Sequence, residues 1–266
     1  MARIYYVGDW SVSTGPTYAE SPFQFAPKGI EIINDSKWLK AALESDGKHQ
    51  VTSVATWDFY RLAPGEYEKI LDEYDVIIFS DVEGKLFQLA PDFFIPGESG
   101  KKVLVYPDRV RLTVETVAAG KGLMMLGGWY SFTGELGKGG WGRTKFKSIL
   151  PVECLGHEDL VESTEGFYPK LTSAGKGVFF ESDFEGMPPI LGYNETKVIP
   201  EGEILVTIEG SGHPLVAVRK SGKGTVLAFT SDPAPHWGLN FVHWEHYNDF
   251  WMKCLSLVLP SSSSSR

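Results

Sequence analysis

The sequence predicts an α/β fold of the flavodoxin-like type, a mostly parallel sheet with helices on both faces and an antiparallel extension. Three observations carry this. Strand-like apolar runs alternate with helix-like segments through the first half of the chain. Two of those runs, residues 75–80 (DVIIFS) and 123–126 (LMML), are apolar almost throughout, as strands buried on both faces are. In the second half, short β-rich runs follow one another across glycine-containing turns with no helix between them, which suits antiparallel pairing.

In chain order, residues 3–7 (RIYYV) form a first strand that stops at Gly8-Asp9. Asp35 or Ser36 caps a helix running to residue 43, with Trp38, Leu39, Ala42 and Leu43 on one face. Residues 50–55 (QVTSVA) read as the second strand, and 66–74 as a short helix with Tyr67, Ile70 and Leu71 inward. The strand 75–80 leads into a long segment rich in Gly, Pro and Phe, 81–107. Residues 108–119 form a helix ended by Gly120, and 123–126 the next buried strand. The antiparallel extension takes in 204–208, 215–218 and 225–230, with the turn Ser221-Gly222-Lys223-Gly224 between the last two. The final element, 241–257, sets Phe250, Trp251, Cys254, Leu257 and Val258 at or near helical spacing. No repeat or linker divides the chain, so residues 1–259 are expected to form one domain. The tail 260–266, PSSSSSR, is low in complexity and is left out as a disordered end or an appended remnant.

Of 266 residues, 42% are hydrophobic and 13% aromatic, enough to bury one large core or two small ones. The formal charge of −9, with no run of Lys or Arg, repels phosphate backbones and argues against nucleic acid as a partner. No apolar stretch approaches the roughly 20 residues that span a bilayer, so no membrane partner is expected. The opening MARIYYVGDW lacks the apolar segment of a signal peptide. Cys154 and Cys254 lie far apart and in no metal-type spacing, which fits two reduced thiols in the cytoplasm. The aromatic content suggests a homo-oligomer. No cofactor motif is present.

Parallel α/β sheets bind ligands outside the carboxyl ends of their strands. Here those ends carry Gly8-Asp9-Trp10, Ser80-Asp81, Gly127-Gly128-Trp129 and, after the last strand, Asp232 and His236. His236 and Asp232 are the candidate acid/base pair; the competing reading makes Asp232 a turn cap and His236 a hydrogen-bonding residue. Asp9 and Trp10 are either pocket residues or a Gly-Asp turn with its neighbour. The cluster Trp129, Tyr130, Ser131 and Phe132 reads as a sugar-binding aromatic wall or as core and lid packing. Ser131 has no adjacent base in sequence, which argues against a displaced nucleophile. Asp81, Gly128 and Trp237 complete the candidate ligand-binding set, with Glu83 and Arg143 as further polar contacts. The glycine-dense stretch 134–142 reads as a lid. His243 and His246, three apart on a helix, share a face, but no third ligand accompanies them, and a surface role is preferred to a metal.

Buried strand, loop, helix, then a strand ending in a Gly-flanked turn is the order of the class I glutamine amidotransferase fold. DVIIFSDVEG matches its strand and oxyanion loop, KGLMMLGGWYS its strand and nucleophile elbow, and TVLAFTSD with PHWG the segment that brings in its histidine. More specifically, the stretches at 122–153, 188–194 (PPILGYN) and 230–251, with the opening YVGDW, resemble a glutamine amidotransferase-like family of bacterial proteins. The trehalose-utilisation family is a more distant relative on the same scaffold. Three departures bear on what the resemblance implies. Aligning the elbow L-G-x-C with Leu126-Gly127-Gly128-Trp129 puts an indole where the thiolate should be. The oxyanion loop, normally Gly-Gly, reads Ser80-Asp81-Val82-Glu83 and brings carboxylates towards a developing negative charge. His236 is followed by Trp237-Gly238 rather than Pro-Glu. The expectation is an amidotransferase-like protein without glutaminase activity that binds a small polar metabolite, such as a carbohydrate, with room for other acid/base chemistry. The alternative is a non-catalytic structural or regulatory subunit that uses the scaffold to oligomerise.

Overall fold

The computed structural model describes residues 1–14, 18–21, 24–26, 30–94 and 105–260; the expected tail lies almost wholly outside the described residues. Its centre is an eight-stranded sheet. Strand β1 (Ala2–Val7) is followed by helix α1 (Lys37–Leu43), strand β2 (His49–Val54), helix α2 (Glu66–Glu73) and strand β3 (Val76–Ser80). Helix α3 (Arg109–Ala119) leads into β4 (Gly122–Leu126). After β5 (Leu160–Phe167), β6 (Pro169–Leu171) and β7 (Ile190–Asn194) come β8 (Glu203–Ile208), β9 (Pro214–Ser221) and β10 (Gly224–Phe229), and helix α4 (Tyr247–Val258) closes the fold. The sheet order is β6-β8-β9-β10-β4-β3-β1-β2. Strands β2, β1, β3, β4 and β10 run parallel, whereas β9, β8 and β6 are antiparallel. The mostly parallel sheet with an antiparallel extension is the architecture the sequence predicts.

Side chains alternate across the sheet with period two. Ile4, Tyr6, Val76, Ile78, Met124, Leu126, Leu227 and Phe229 face one layer of core, which α1 and α4 cover. Tyr5, Val7, Ile77, Phe79, Leu123, Met125, Val226 and Ala228 face the other, which buries Tyr67 and Leu71 of α2 and Val110 and Val117 of α3. Both faces of the central strands are thus dry, which explains their uninterrupted apolar sequences. Asp108 caps α3 by accepting the Arg111 backbone N–H at 3.1 Å, and Gly120 ends it at φ +130.

Two expectations are corrected. The last element is two: a 3₁₀ turn, Phe241–His243, and then α4. Between them Trp244 takes an extended conformation (ψ 134°), so His243 and His246 lie on no common helix. The stretch 134–142 is packed rather than lid-like. Trp141 is fully buried and donates its indole N–H to the Val82 carbonyl at 2.8 Å, and Gly139 accepts the Gly84 N–H at 2.9 Å. Between β4 and β8, a region to which the sequence assigned no elements, β5 and β7 form an antiparallel ribbon.

Candidate functional site

The five parallel strands end on one side, and the turns that follow β1, β3, β4 and β10 build most of a cavity of about 320 Å³. Asp9, Trp10, Ser11, Asp35, Asp81, Trp129, Asp232, Ala234, Pro235 and His236 line it. The turn after β1 is forced by close approach: Gly8 sits at φ +124, and a Cβ there would fall 1.7 Å from the Ser80 carbonyl oxygen. That contact sets Asp9 against the end of β3. Its carboxylate accepts from the Ser80 hydroxyl at 2.9 Å and from the Tyr6 hydroxyl. Asp81, one residue past β3, accepts the Tyr130 backbone N–H at 2.6 Å, and its own N–H donates to Ser131 Oγ at 3.0 Å. Asp9 and Asp81 both adopt φ 54° and His236 adopts φ 129°. Left-handed backbone at three non-glycine residues of one cavity is strain concentrated where the strands end.

The turn after β4 departs from a nucleophile elbow. No helix follows it; residues 127–134 form turns and bends. The left-handed position is Gly128 (φ +142), where a Cβ would lie 2.6 Å from Asp81 Oδ1. Asn194, fully buried at the end of β7, braces this turn. Its Oδ1 accepts the Gly128 N–H at 3.0 Å, and its Nδ2 donates to the Gly128 carbonyl at 3.1 Å and to Asp159 at 2.9 Å. Asp159 in turn accepts the backbone N–H groups of Thr133 and Gly134. Trp129 is left 42% exposed, against the cavity.

Charge in the cavity is one-sided. Burial first, and then Asp232 and Asp81, push the Asp9 carboxyl well above the usual carboxylate range. Burial and then Asp81 do the same to Asp232. Burial raises Asp81 to about 6, opposed by its Tyr130 hydrogen bond and by His236. Asp35 is also raised by burial. Burial lowers His236, opposed by Glu162 and Asp81. Its Nδ1 lies 3.4 Å from Asp232 Oδ2. Carboxyl groups that keep their proton towards neutrality beside an imidazole that loses its own early form an acid/base set with the roles inverted from their free values.

Of the residues singled out in the sequence, Asp9, Trp10, Asp81, Trp129, Asp232 and His236 meet in this cavity. Gly128, Tyr130, Ser131 and Trp237 are not among its lining residues. Ser131 is buried and its hydroxyl donates to the Leu126 carbonyl at 2.5 Å, so it serves the turn. Trp237 is buried behind His236 and stacks on it at 5.3 Å. Glu83 and Arg143 lie outside the cavity as well. Sequence reasoning missed Asp35, Asn194, Asp159 and Glu162. A polar Asn closing the apolar strand of PPILGYN was the one available signal. Among the described residues, no group of three or more His, Cys, Asp or Glu is arranged to hold a metal ion, and no helix is long and apolar enough to cross a membrane.

Comparison with known proteins bears on the fold. A cytoplasmic protein from Salmonella typhimurium superposes with a TM-score of 0.82 at 23% identity, over 98% of this chain and 100% of its own. A second cytoplasmic protein, from S. typhimurium LT2, gives 0.78 at 27% identity over 97% and 99%. A beta-galactosidase from Rahnella sp. R3 is similar over 97% of this chain but 32% of its own, at 14% identity and a TM-score of 0.50, which is a likeness of fold alone. No functionally curated protein is significantly similar in sequence. The sequence profile described as "Putative glutamine amidotransferase" matches residues 21–259, and the chain therefore belongs to this glutamine amidotransferase-like family.

Proposed function

We propose that the strand-end cavity binds a small polyhydroxylated metabolite, a carbohydrate or close relative, and that the protein is not a glutaminase. The observation that carries this reading is the collection of four carboxyl side chains and one imidazole against the open face of Trp129. Sugar hydroxyls need both donors and acceptors, and partly protonated carboxyls supply both; sugar C–H faces stack on indole. His236, neutral near pH 7, stands as the base, and the Asp232 carboxyl beside it as the acid or the group that orients it. Glutamine hydrolysis by this route needs a thiolate in the cavity. Neither Cys154 nor Cys254 lines it; burial pushes the Cys154 thiol up to about 12 and raises Cys254 as well.

The test is a thermal-shift screen against sugars, sugar acids and amino acids, followed by His236→Ala on each hit. Stabilisation by a sugar or polyol that His236→Ala weakens is expected. If nothing stabilises the protein and the substitution changes nothing, the binding reading fails. Ammonia release from glutamine that is lost on substituting Cys154 or Cys254 would overturn the second half of the proposal. The same reading places the protein in the cytoplasm as a homo-oligomer. Supporting self-association, Val12, Ile30 and Ile32 are exposed on the ribbon that pairs Trp10–Thr14 with Ile30–Asn34 beside the cavity. A monomeric mass in solution would remove that part.

A further inference from the structure

Glu162 is not part of the cavity lining, yet three groups at the cavity's edge converge on one of its oxygens. Strand β5 places it opposite Gly192 of β7. Gly192 is bare because the indole of Trp237 occupies the space, and a Cβ there would lie 2.5 Å from Trp237 Nε1. Trp237 donates its indole N–H to Glu162 Oε1 at 2.7 Å, and Trp129 donates its own to the same oxygen at 3.1 Å. His236 Nε2 stands 3.8 Å away. Its imidazole is held between the two indoles, edge-on to Trp129 at 4.7 Å and stacked on Trp237 at 5.3 Å. Two turns far apart in sequence, the one after β4 that carries Trp129 and the one after β10 that carries His236 and Trp237, are thereby fixed to one carboxylate.

We infer that Glu162 is the positioning residue of this site: it sets the Trp129 face towards the cavity and sets its carboxylate against His236 Nε2. The two effects are separable. An indole N–H needs only an acceptor oxygen, which an amide also offers, whereas the imidazolium responds to the negative charge. The other groups facing His236 are Asp232, whose burial favours its uncharged form, and Asp81, which also favours the imidazolium; Asp9 and Asp35 line the same cavity. The two indole donors hold Glu162 below the usual carboxylate range, Trp237 first, which favours its charged form beside His236. The consequence for ligands rests on the cavity being a binding site; the effects on Trp129 and His236 do not.

The experiment therefore uses the ligand-free full chain. Histidine titration and tryptophan indole N–H signals are followed by NMR in the wild type, Glu162→Gln and Glu162→Ala, with His236→Ala to assign the imidazole. In Glu162→Gln the two indole signals stay near their wild-type positions while the His236 midpoint falls by about half a pH unit, the size that a half-exposed ion pair carries. In Glu162→Ala both indole signals move as well. An unchanged His236 midpoint in Glu162→Gln, or an unchanged Trp129 indole in Glu162→Ala, would overturn the inference. The sugar screen repeated on Glu162→Ala then reads the consequence for binding: a hit lost with intact NMR behaviour in the wild type supports it, and a hit retained at full strength removes the link to the ligand.

Discussion

Asp81→Asn should make the protein more stable, and the gain should depend on pH in a way that the site dictates. The substitution keeps the geometry. Asp81 sits at φ 54°, a left-handed conformation that Asn tolerates at least as well, and an amide oxygen can still accept the Tyr130 N–H that now lies 2.6 Å from Oδ1. It removes the ionisation. Burial raises this carboxyl from 3.8 to about 6, so the folded state holds the proton more tightly than the unfolded chain. Stability is therefore lost as pH rises from about 4 through about 6, and the full penalty is present above that. At about 1.36 kcal/mol per pH unit, the ceiling is about 3 kcal/mol. Asp81 keeps part of its surface in the cavity, and solvent brings the measured value below that ceiling. Urea unfolding of the wild type and Asp81→Asn at pH 8 and pH 5 measures it. The variant should be more stable by up to about 3 kcal/mol at pH 8, equivalent to roughly 6–12 °C in Tm for a chain of this size, and by about half of that at pH 5. An equal gain at both pH values, or a loss at pH 8, would show that the carboxyl is not held against its charge.

Two further substitutions test the turn after β4. Gly128→Ala places a Cβ 2.6 Å from Asp81 Oδ1 at φ +142, and should cost about 2–4 kcal/mol in denaturant unfolding; a cost under ~0.5 kcal/mol would mean that the turn relaxes freely. Asn194→Ala leaves the buried Gly128 N–H without its acceptor and removes one donor each from the Gly128 carbonyl, which keeps the Ser131 N–H, and from Asp159 Oδ1, which keeps the Gly134 N–H, and should cost about 1–3 kcal/mol. In that variant, backbone amide exchange at residues 127–134 should accelerate before the rest of the sheet, and uniform exchange would count against the bracing role.

The parallel core was readable because burial on both faces leaves a one-dimensional mark. A strand such as VIIFS has no polar side, and strands of one direction bring their carboxyl ends together whatever lies between them. Asp9, Asp81, Trp129, Asp232 and His236 could be grouped on that ground alone. The bracing residues could not. Glu162 lies in LVESTEGF, a strand of mixed polarity that reads as solvent-facing, and nothing local says that it docks against β7 and two indoles. Asn194 owes its role to pairing across the fold. The split before α4 was hidden for a different reason: apolar spacing runs through it, while the break is a backbone choice at Trp244 that hydrophobic periodicity does not record.

The energetics of the strand ends separate a ligand site from a purely structural scaffold. Asp9, Asp81 and His236 hold backbone conformations that cost on the order of 1–3 kcal/mol each, and burial raises the proton affinity of Asp9, Asp81 and Asp232, with Asp81 adding to it at the other two. None of these features strengthens the sheet, and Asn or Gly at Asp9 and Asp81 would relieve both costs together. A subunit that uses the fold only to oligomerise gains nothing from retaining them, whereas a binding site needs the oriented carboxyls and accepts the loss of stability. Asp81→Asn therefore discriminates through what accompanies its stabilisation. In the binding reading, the more stable variant loses its thermal response to the sugar that stabilises the wild type. In the structural reading, it is more stable and unaltered in every other respect, including its mass in solution.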